Sequence, residues 1–569
     1  MGPANGEGGR TLTEREEPPR ARALTAAVTG VLLAAAFLPF LAGRRIGEGV
    51  AGAVLLAASA MLAPAAPGWI LSAGGLPPTR AAAALLSVTL LHLAAMLTLR
   101  SFRAEPTPAA FAAVLAWWTA LAGAAAAWRS PALRPPRDPA PWCLGAAAFL
   151  LFAWSGTSVV PPLEDQDSEV QGTANGMVRE LAPVSLMNRG RLHFFAHPPL
   201  LHVFSATTIT LGGKLDAVRP AYDVAREELA KLPADERQRG PAAVVRALRD
   251  PPRVPDRAFL WHSRVFRAFR EDPALLATRA PNFVLGAFAV VLVFVWARRL
   301  GAGTPDAVLA AAAYATLPEI VVRSSYGGYY ALSAATFVSA GWLATERRHP
   351  RSLAGAAGAL AALANHKAVV VGAAALLAGW LRRRPGALLV LLGVVTGTAL
   401  FWIWGLAIAP GDFVGEHLLD HGLRRFALGE ATTRGGAPVY PSRLGVWREF
   451  AVNHGWPWVA AAATALVWGA ARAAKRAAEP DPLGKAAEIL VPWVLIGAAV
   501  FTWIDWRQTK HLALLVPAAT VLVAAMSCAA PPRARAVVRF VLAAAVLWNV
   551  AGIVRLARDF DSLRVTPIW

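Results

Sequence analysis

PWCLGAAAFLLFAWSGTSVVPPLEDQDSEV, residues 141–170, runs an apolar stretch straight into the acidic cluster Glu164-Asp165-Gln166-Asp167. Carboxylates at a membrane edge are costly unless they face water, a cation or a substrate. The cluster opens the longest polar stretch of the chain, and His197-Pro198-Pro199-Leu200 follows within it. Nearly everything else is apolar runs separated by short charged turns. That pattern decides the fold class, an all-α polytopic membrane protein, and places its polar chemistry at the membrane surface.

Hydrophobic residues make up 56% of the 569, well above a soluble globular chain. Many runs approach the ~20 residues that cross a bilayer as helix. The first, Ala23 to Leu41, follows a polar head too long and too acidic for a signal peptide, with no small-residue cleavage site before Arg44-Arg45. It reads as a retained helix, and residues 1–22 as a disordered cytoplasmic tail. The net charge of +20 sits in short clusters between spans: Arg298-Arg299, Arg347-Arg348, Arg382-Arg383-Arg384, Arg472 to Arg476, Arg533 and Arg535. Positive-inside topology is written that way, whereas a polyanion binder gathers its cations on one face. No nucleic-acid partner is expected. The two cysteines, Cys143 and Cys528, fall inside apolar spans. They read as small core residues rather than a disulfide or metal framework.

Candidate spans lie near 23–42, 49–65, 81–99, 108–127 and 141–160 before the cluster. After it they lie near 280–298, 304–322, 329–345, 352–364, 367–381, 386–408, 456–472, 487–504, 511–530 and 537–556. The arginine clusters place loops 298–303, 346–351, 382–385, 472–486 and 531–539 in the cytoplasm. Loops 161–279, 323–328, 365–367, 409–455 and 505–510 then face outward. Gly43 to Glu48, with its two arginines, runs against this scheme. Nine of the eleven histidines fall in the outer loops or at their edges, consistent with a polar chamber on that side.

Within the first outer loop, Val170 to Leu181 is expected as a helix along the membrane. Pro198 to Leu211 is apolar but too short to span, which favours a re-entrant or interfacial helix. Residues 214–272 read as a soluble helical insertion. The second outer loop, 409–455, carries Asp412, Glu416, His417, Asp420, His421, Arg424 and Arg425. The division is thus N-terminal spans 23–140, a core 141–408 with outer loop 161–279, the loop 409–455, and C-terminal spans 456–569.

The order of these features resembles the GT-C glycosyltransferases, particularly the branch with bacterial aminoarabinose transferases and protein O-mannosyltransferases. The motifs are Asp165 and Asp167, then Ala196-His197-Pro198-Pro199-Leu200, then a span from Arg279-Ala280-Pro281 to Ala297-Arg298-Arg299-Leu300. Arg323-Ser324-Ser325-Tyr326, Asn365-His366-Lys367, and Lys510-His511-Leu512 leading to Val516-Pro517 complete the series. The resemblance covers roughly 141–530. The chain departs from it where relatives often have Glu-Lys-Pro-Pro, and where many have an acid after the Ser/Arg motif; Gly327-Gly328-Tyr329 stands there instead.

The resemblance implies a GT-C-like transmembrane bundle with membrane-parallel helices and an acidic motif in the first outer loop. It also implies transfer of a sugar from a polyprenyl-phosphate donor to a hydroxyl on a lipid, glycan or protein, with inversion, on the extracytoplasmic face of a multi-pass membrane protein. Such chemistry needs a base, and a carboxylate of pKa near 4 accepts the proton late in the transition state. Asp167 is the leading base and Asp165 the next. The departing phosphate needs fixed positive charge, for which His197, Arg323, Lys367, Arg507, Lys510 and His511 are the candidates, with Tyr326 beside them. A metal is left undecided: Glu164, Asp165 and Asp167 could hold a divalent ion through oxygen, and His197 or His366 could join a zinc site. The alternative class is a transporter or flippase of lipid-linked saccharides, which also uses membrane acids and cations.

Overall fold

The computed structural model describes residues 19–42, 49–73, 77–129, 138–160, 169–183, 195, 197–212, 273–346, 351–382, 384–423, 442–474, 482–504 and 508–562. Glu164, Asp165, Asp167, Arg507, the Gly43 to Glu48 loop and the insertion 214–272 lie outside the described residues. Those described are helical throughout, joined by turns. The first half comprises α1 (Pro19–Ala35), α2 (Gly49–Leu71), α3 (Pro77–Ser101), α4 (Pro108–Arg129), α5 (Ala140–Ser158), α6 (Glu169–Glu180), α7 (Leu200–Gly212) and α8 (Pro273–Arg299). Then come α9 (Thr304–Thr316), α10 (Pro318–Ser325), α11 (Tyr330–Thr345), α12 (Arg351–Ala364), α13 (Val369–Arg382) and α14 (Pro385–Ile408). The last are α15 (Arg443–His454), α16 (Trp456–Ala474), α17 (Pro482–Trp503), α18 (Thr509–Ala529) and α19 (Pro532–Ser562). Among the described residues, 9 helices are long and apolar enough to cross a membrane, or up to 10 if the bent pair α9–α10 is one span.

Helices in lipid cannot rely on water to drive them together, so small residues that let backbones approach become the adhesive. The pair α12 and α14 works this way. A Cβ on Gly393 would lie 2.0 Å from the Gly355 carbonyl oxygen, and one on Gly358 would lie 2.2 Å from that of Val390. The N-terminal helices use the same device, with Gly68 of α2 against the Ala83 carbonyl of α3.

The expected span 304–322 is not one straight helix. It bends by 66° between α9 and α10, because Pro318 offers no N–H and drives Leu317 out of helical backbone, to ψ 131. The bend sets α10 at the end of the bundle. Of the two forms expected for the apolar segment after His197, re-entrant or interfacial, burial speaks against the interfacial one. Every residue from Leu200 to Leu211 is buried, enclosed by α6 and α8, by α2 to α4 and by α12. Its polar side chains are met within the protein, Thr208 donating to the Ala277 carbonyl at 2.6 Å, and non-spanning backbone at membrane depth is stable only when so covered. Cys143 is exposed rather than in the core, and Cys528 is half-buried, its thiol 2.8 Å from the Gly301 carbonyl.

Long-range polar contacts sort by loop. Arg299–Glu346, Arg384–Glu488 and Arg539–Asp306 join segments at or beside loops read as cytoplasmic. The contacts described next join loops read as outer, as expected for helices that alternate in direction.

Candidate active site

The site begins where α5 ends. Arg279, fully buried near the start of α8, donates from Nη1 to the carbonyls of Gly156 (2.6 Å) and Val160 (2.8 Å). A cation on the orphan carbonyls of a helix C-terminus is favourable. Here it fixes the point from which the chain departs toward Asp165 and Asp167. Three residues on, Asn282 donates to the carbonyls of Tyr326 (2.5 Å) and Gly328 (2.8 Å). The turn after α10 is thereby tied to the same helix. Gly328 is required in it, since a Cβ there would lie 2.5 Å from the Tyr326 ring.

On that turn stands a buried cationic cluster. Arg323 forks onto Glu319, with Nε at 2.7 Å and Nη2 at 2.5 Å from Oε1, and its Nη1 donates to the Tyr326 hydroxyl at 2.8 Å. Thr509, at the start of α18, donates to the other Glu319 oxygen at 3.2 Å. The guanidinium lies 5.4 Å from the centre of the Tyr330 ring. Lys367 Nζ approaches that ring to 5.9 Å, and the His511 ring stands edge-on to it at 6.4 Å. Lys367 is held by local geometry: Asn365 caps its N–H through Oδ1 at 3.0 Å and donates from Nδ2 to Ser333 at 3.1 Å.

The neighbours of these residues build a second group. His197 stacks on Tyr329 with ring centres 3.9 Å apart, and on the other side lies 5.6 Å from His366. His366 in turn lies 6.0 Å from His417 of the second outer loop. The Tyr329 hydroxyl and His202 Nε2 are hydrogen-bonded at 2.7 Å. Two adjacent pairs, Tyr329-Tyr330 and His366-Lys367, therefore join the imidazole row to the cationic cluster.

His197, Arg323, Tyr326, Lys367, His366 and His511, picked from motifs scattered over the chain, thus lie in one connected array. Lys510 adjoins it, half-buried beside His511. Glu164, Asp165, Asp167 and Arg507 lie outside the described residues. Among those described, no group of three or more His, Cys, Asp or Glu side chains is arranged to hold a metal ion.

Sequence reasoning passed over Tyr330, the ring on which Arg323, Lys367 and His511 converge, and Glu319. A Glu and an Arg at i and i+4 inside an apolar span were a readable signal for the latter. Tyr330 had none, being one more aromatic at the head of a span.

No family model matches the chain, and no curated protein matches it. Two solved structures are similar: ArnT from Cupriavidus metallidurans bound to undecaprenyl phosphate, at 14% identity and TM-score 0.44, and the same protein in the apo state, at 14% identity and TM-score 0.43. Each similarity covers 70% of this chain and 61% of the other. The chain thus spans about three-fifths of the length of the structures it matches.

Proposed function

We propose that the protein is an integral membrane glycosyltransferase that moves a sugar from a polyprenyl-phosphate donor to the hydroxyl of a lipid, glycan or protein acceptor on the extracytoplasmic face, with inversion. One observation carries this reading: Arg323, Lys367 and His511, from three separate loops, converge on Tyr330 at one end of a membrane bundle. Prepaid positive charge in a dry site is what a departing phosphate requires, and charge-assisted contacts to phosphate are the strong kind. Lys510 stands at the rim, where an outer loop re-enters the apolar layer. Asp167 takes the acceptor proton in this scheme, with Asp165 as its partner or alternate, and any divalent metal is held by Glu164, Asp165 and Asp167. Sequence links the acids to the array from both sides: Val160, anchored by Arg279, precedes them, and α6 follows.

Mass spectrometry of glycans and lipid-linked sugars in a deletion strain tests the proposal. Loss of one sugar from an envelope acceptor, with accumulation of its polyprenyl-phosphate form, is expected. A lipid-linked sugar held back on the cytoplasmic leaflet, with acceptor transfer restored by an unrelated flippase, would establish a transporter instead.

A further inference from the structure

The stretch that carries His197, residues 195–199, has no carboxylate of its own. One arrives from the second outer loop. Glu416 Oε2 accepts the Phe195 backbone N–H at 2.6 Å, two residues before His197. A short bond to an ionised acceptor is about twice as strong as a neutral one. The Phe195 ring is gripped by the same region: it is fully buried and stands edge-on to Trp404 at 5.5 Å and to Phe413 at 5.3 Å. Phe413 ends the short helix Pro410–Phe413 that follows α14, and Glu416 lies in the π-helical segment Val414–Leu423 directly after it. A second tie lies further back, where the Trp404 indole N–H donates to the Pro183 carbonyl just after α6. His417, the neighbour of Glu416, reaches His366. Phe413 and Glu416 of the second outer loop therefore hold the entrance to α7 by ring and by backbone.

We infer that Glu416 is a positioning residue of the proposed transferase: its carboxylate pins the chain at Phe195 and so holds His197 flat on Tyr329, near His366. A single residue separates Phe195 from His197, so a shift of the backbone at Phe195 is passed through the chain to the imidazole stacked on Tyr329. With the anchor gone, the imidazole leaves the Tyr329 face and no longer meets the donor phosphate in fixed geometry. The role in catalysis rests on the transferase reading; the role in holding His197 does not.

The experiment uses the full-length protein in nanodiscs, with Glu416→Ala, Glu416→Gln and Glu416→Asp. Carbethoxylation by diethylpyrocarbonate, read peptide by peptide by mass spectrometry, reports on His197 without any assay of activity. In Glu416→Ala, His197 is expected to react several-fold faster, while the fully buried His92 stays unreactive and shows that the bundle is intact. Glu416→Gln, which keeps an acceptor, and Glu416→Asp, which keeps the charge, are expected to fall between. In the kinetic arm, Glu416→Ala lowers kcat/KM for the lipid donor by roughly tenfold or more, the scale of one charge-assisted hydrogen bond. In a His197→Ala background, the same change has no further effect beyond about twofold, because residues acting through one another do not add. Unchanged His197 reactivity in Glu416→Ala overturns the inference, as does full additivity of the two substitutions. Absence of transfer by the wild-type protein would count against the transferase reading and leave the reactivity result to decide the placement of His197.

Discussion

The ring of His197 lies on the face of Tyr329 at a centroid distance of 3.9 Å and 26° between planes, while the Tyr329 hydroxyl is bonded to His202 at 2.7 Å. One tyrosine thus serves both ends of the His-Pro-Pro segment, clamping the imidazole before α7 and a buried imidazole within it. Tyr329→Phe keeps the stack and leaves a buried ring nitrogen without its hydroxyl. A loss of about 1–3 kcal/mol in unfolding free energy is expected for such an unsatisfied group. Tyr329→Ala loses the aromatic pair in addition, worth a further ~0.5–1.5 kcal/mol. Denaturant unfolding in a fixed detergent measures both. Equal stability of wild type and Tyr329→Phe would mean that the hydroxyl contributes nothing.

Arg323 and Glu319 make a buried pair, 5% and 0% exposed. Removing one partner strands a charge, at a cost of about 3–5 kcal/mol, whereas replacing both by apolar groups is often neutral. Arg323→Met is therefore expected to be strongly destabilised, and Glu319→Leu/Arg323→Met to recover most of the loss. Arg323→Lys does not rescue, since an ammonium cannot span Glu319 and the Tyr326 hydroxyl as the guanidinium fork does. A double variant as unstable as the single one would mean that the pair is not what Arg323 contributes.

Close backbone approach between α12 and α14 gives a sharper test of the fold. Gly393→Ala places a methyl at 2.0 Å from the Gly355 carbonyl, so the helices must separate. Overpacking of this kind costs about 1–3 kcal/mol. Gly411→Ala meets nothing within 4 Å and is expected to stay within about 0.5 kcal/mol of wild type. Similar melting temperatures for the two variants would show that the close approach is wrong.

Helix positions were legible from sequence because apolar runs of membrane length leave few choices, yet among the described residues 9 helices, or up to 10 with the bent pair, rather than all the expected spans, are long and apolar enough to cross a membrane. Bends and burial were less so. Leu317-Pro318 carried the kink in plain view, yet its 66° depends on what α10 packs against. The enclosure of α7 had no local signature: Leu200–Gly212 mixes apolar residues with His202, Ser205, Thr207, Thr208 and Thr210, all of them buried. For the site, charged residues in loops could be named one at a time, and His197, Arg323, Lys367 and His511 were. Their meeting at Tyr330 and the reach of Glu416 to Phe195 are contacts between distant segments, which no periodicity encodes.

The proposed general base, Asp167, is open to a direct test by substitution. Asp167→Asn keeps size and hydrogen bonding but cannot take the acceptor proton. Turnover is expected to fall by roughly 100-fold or more, the scale of acid–base contributions, with donor binding unaffected. Asp165→Asn is expected to be milder. Reversal of that order transfers the role to Asp165, and full activity in both variants eliminates the mechanism.

The last prediction concerns how the donor phosphate is held. Lys367 is 6% exposed with its ammonium over Tyr330, and His511 is 2% exposed against the same ring, whereas Lys510 is half-buried at the rim. A desolvated cation interacts more strongly with phosphate than one partly screened by water. Lys367→Met is therefore expected to raise the KM for the polyprenyl-phosphate sugar by about 10–100-fold, the scale of a charged hydrogen bond. Lys510→Ala is expected to raise it less and to lower the rate, and its effect shrinks as ionic strength increases. The KM for acceptor should move little in either variant. A Lys367→Met enzyme with normal donor KM and impaired acceptor KM would assign the cluster to the acceptor. Turnover supported by a soluble nucleotide sugar with no lipid carrier would remove the donor class, because a phosphate presented from the aqueous phase has no need of a cationic lip where an outer loop re-enters the apolar layer.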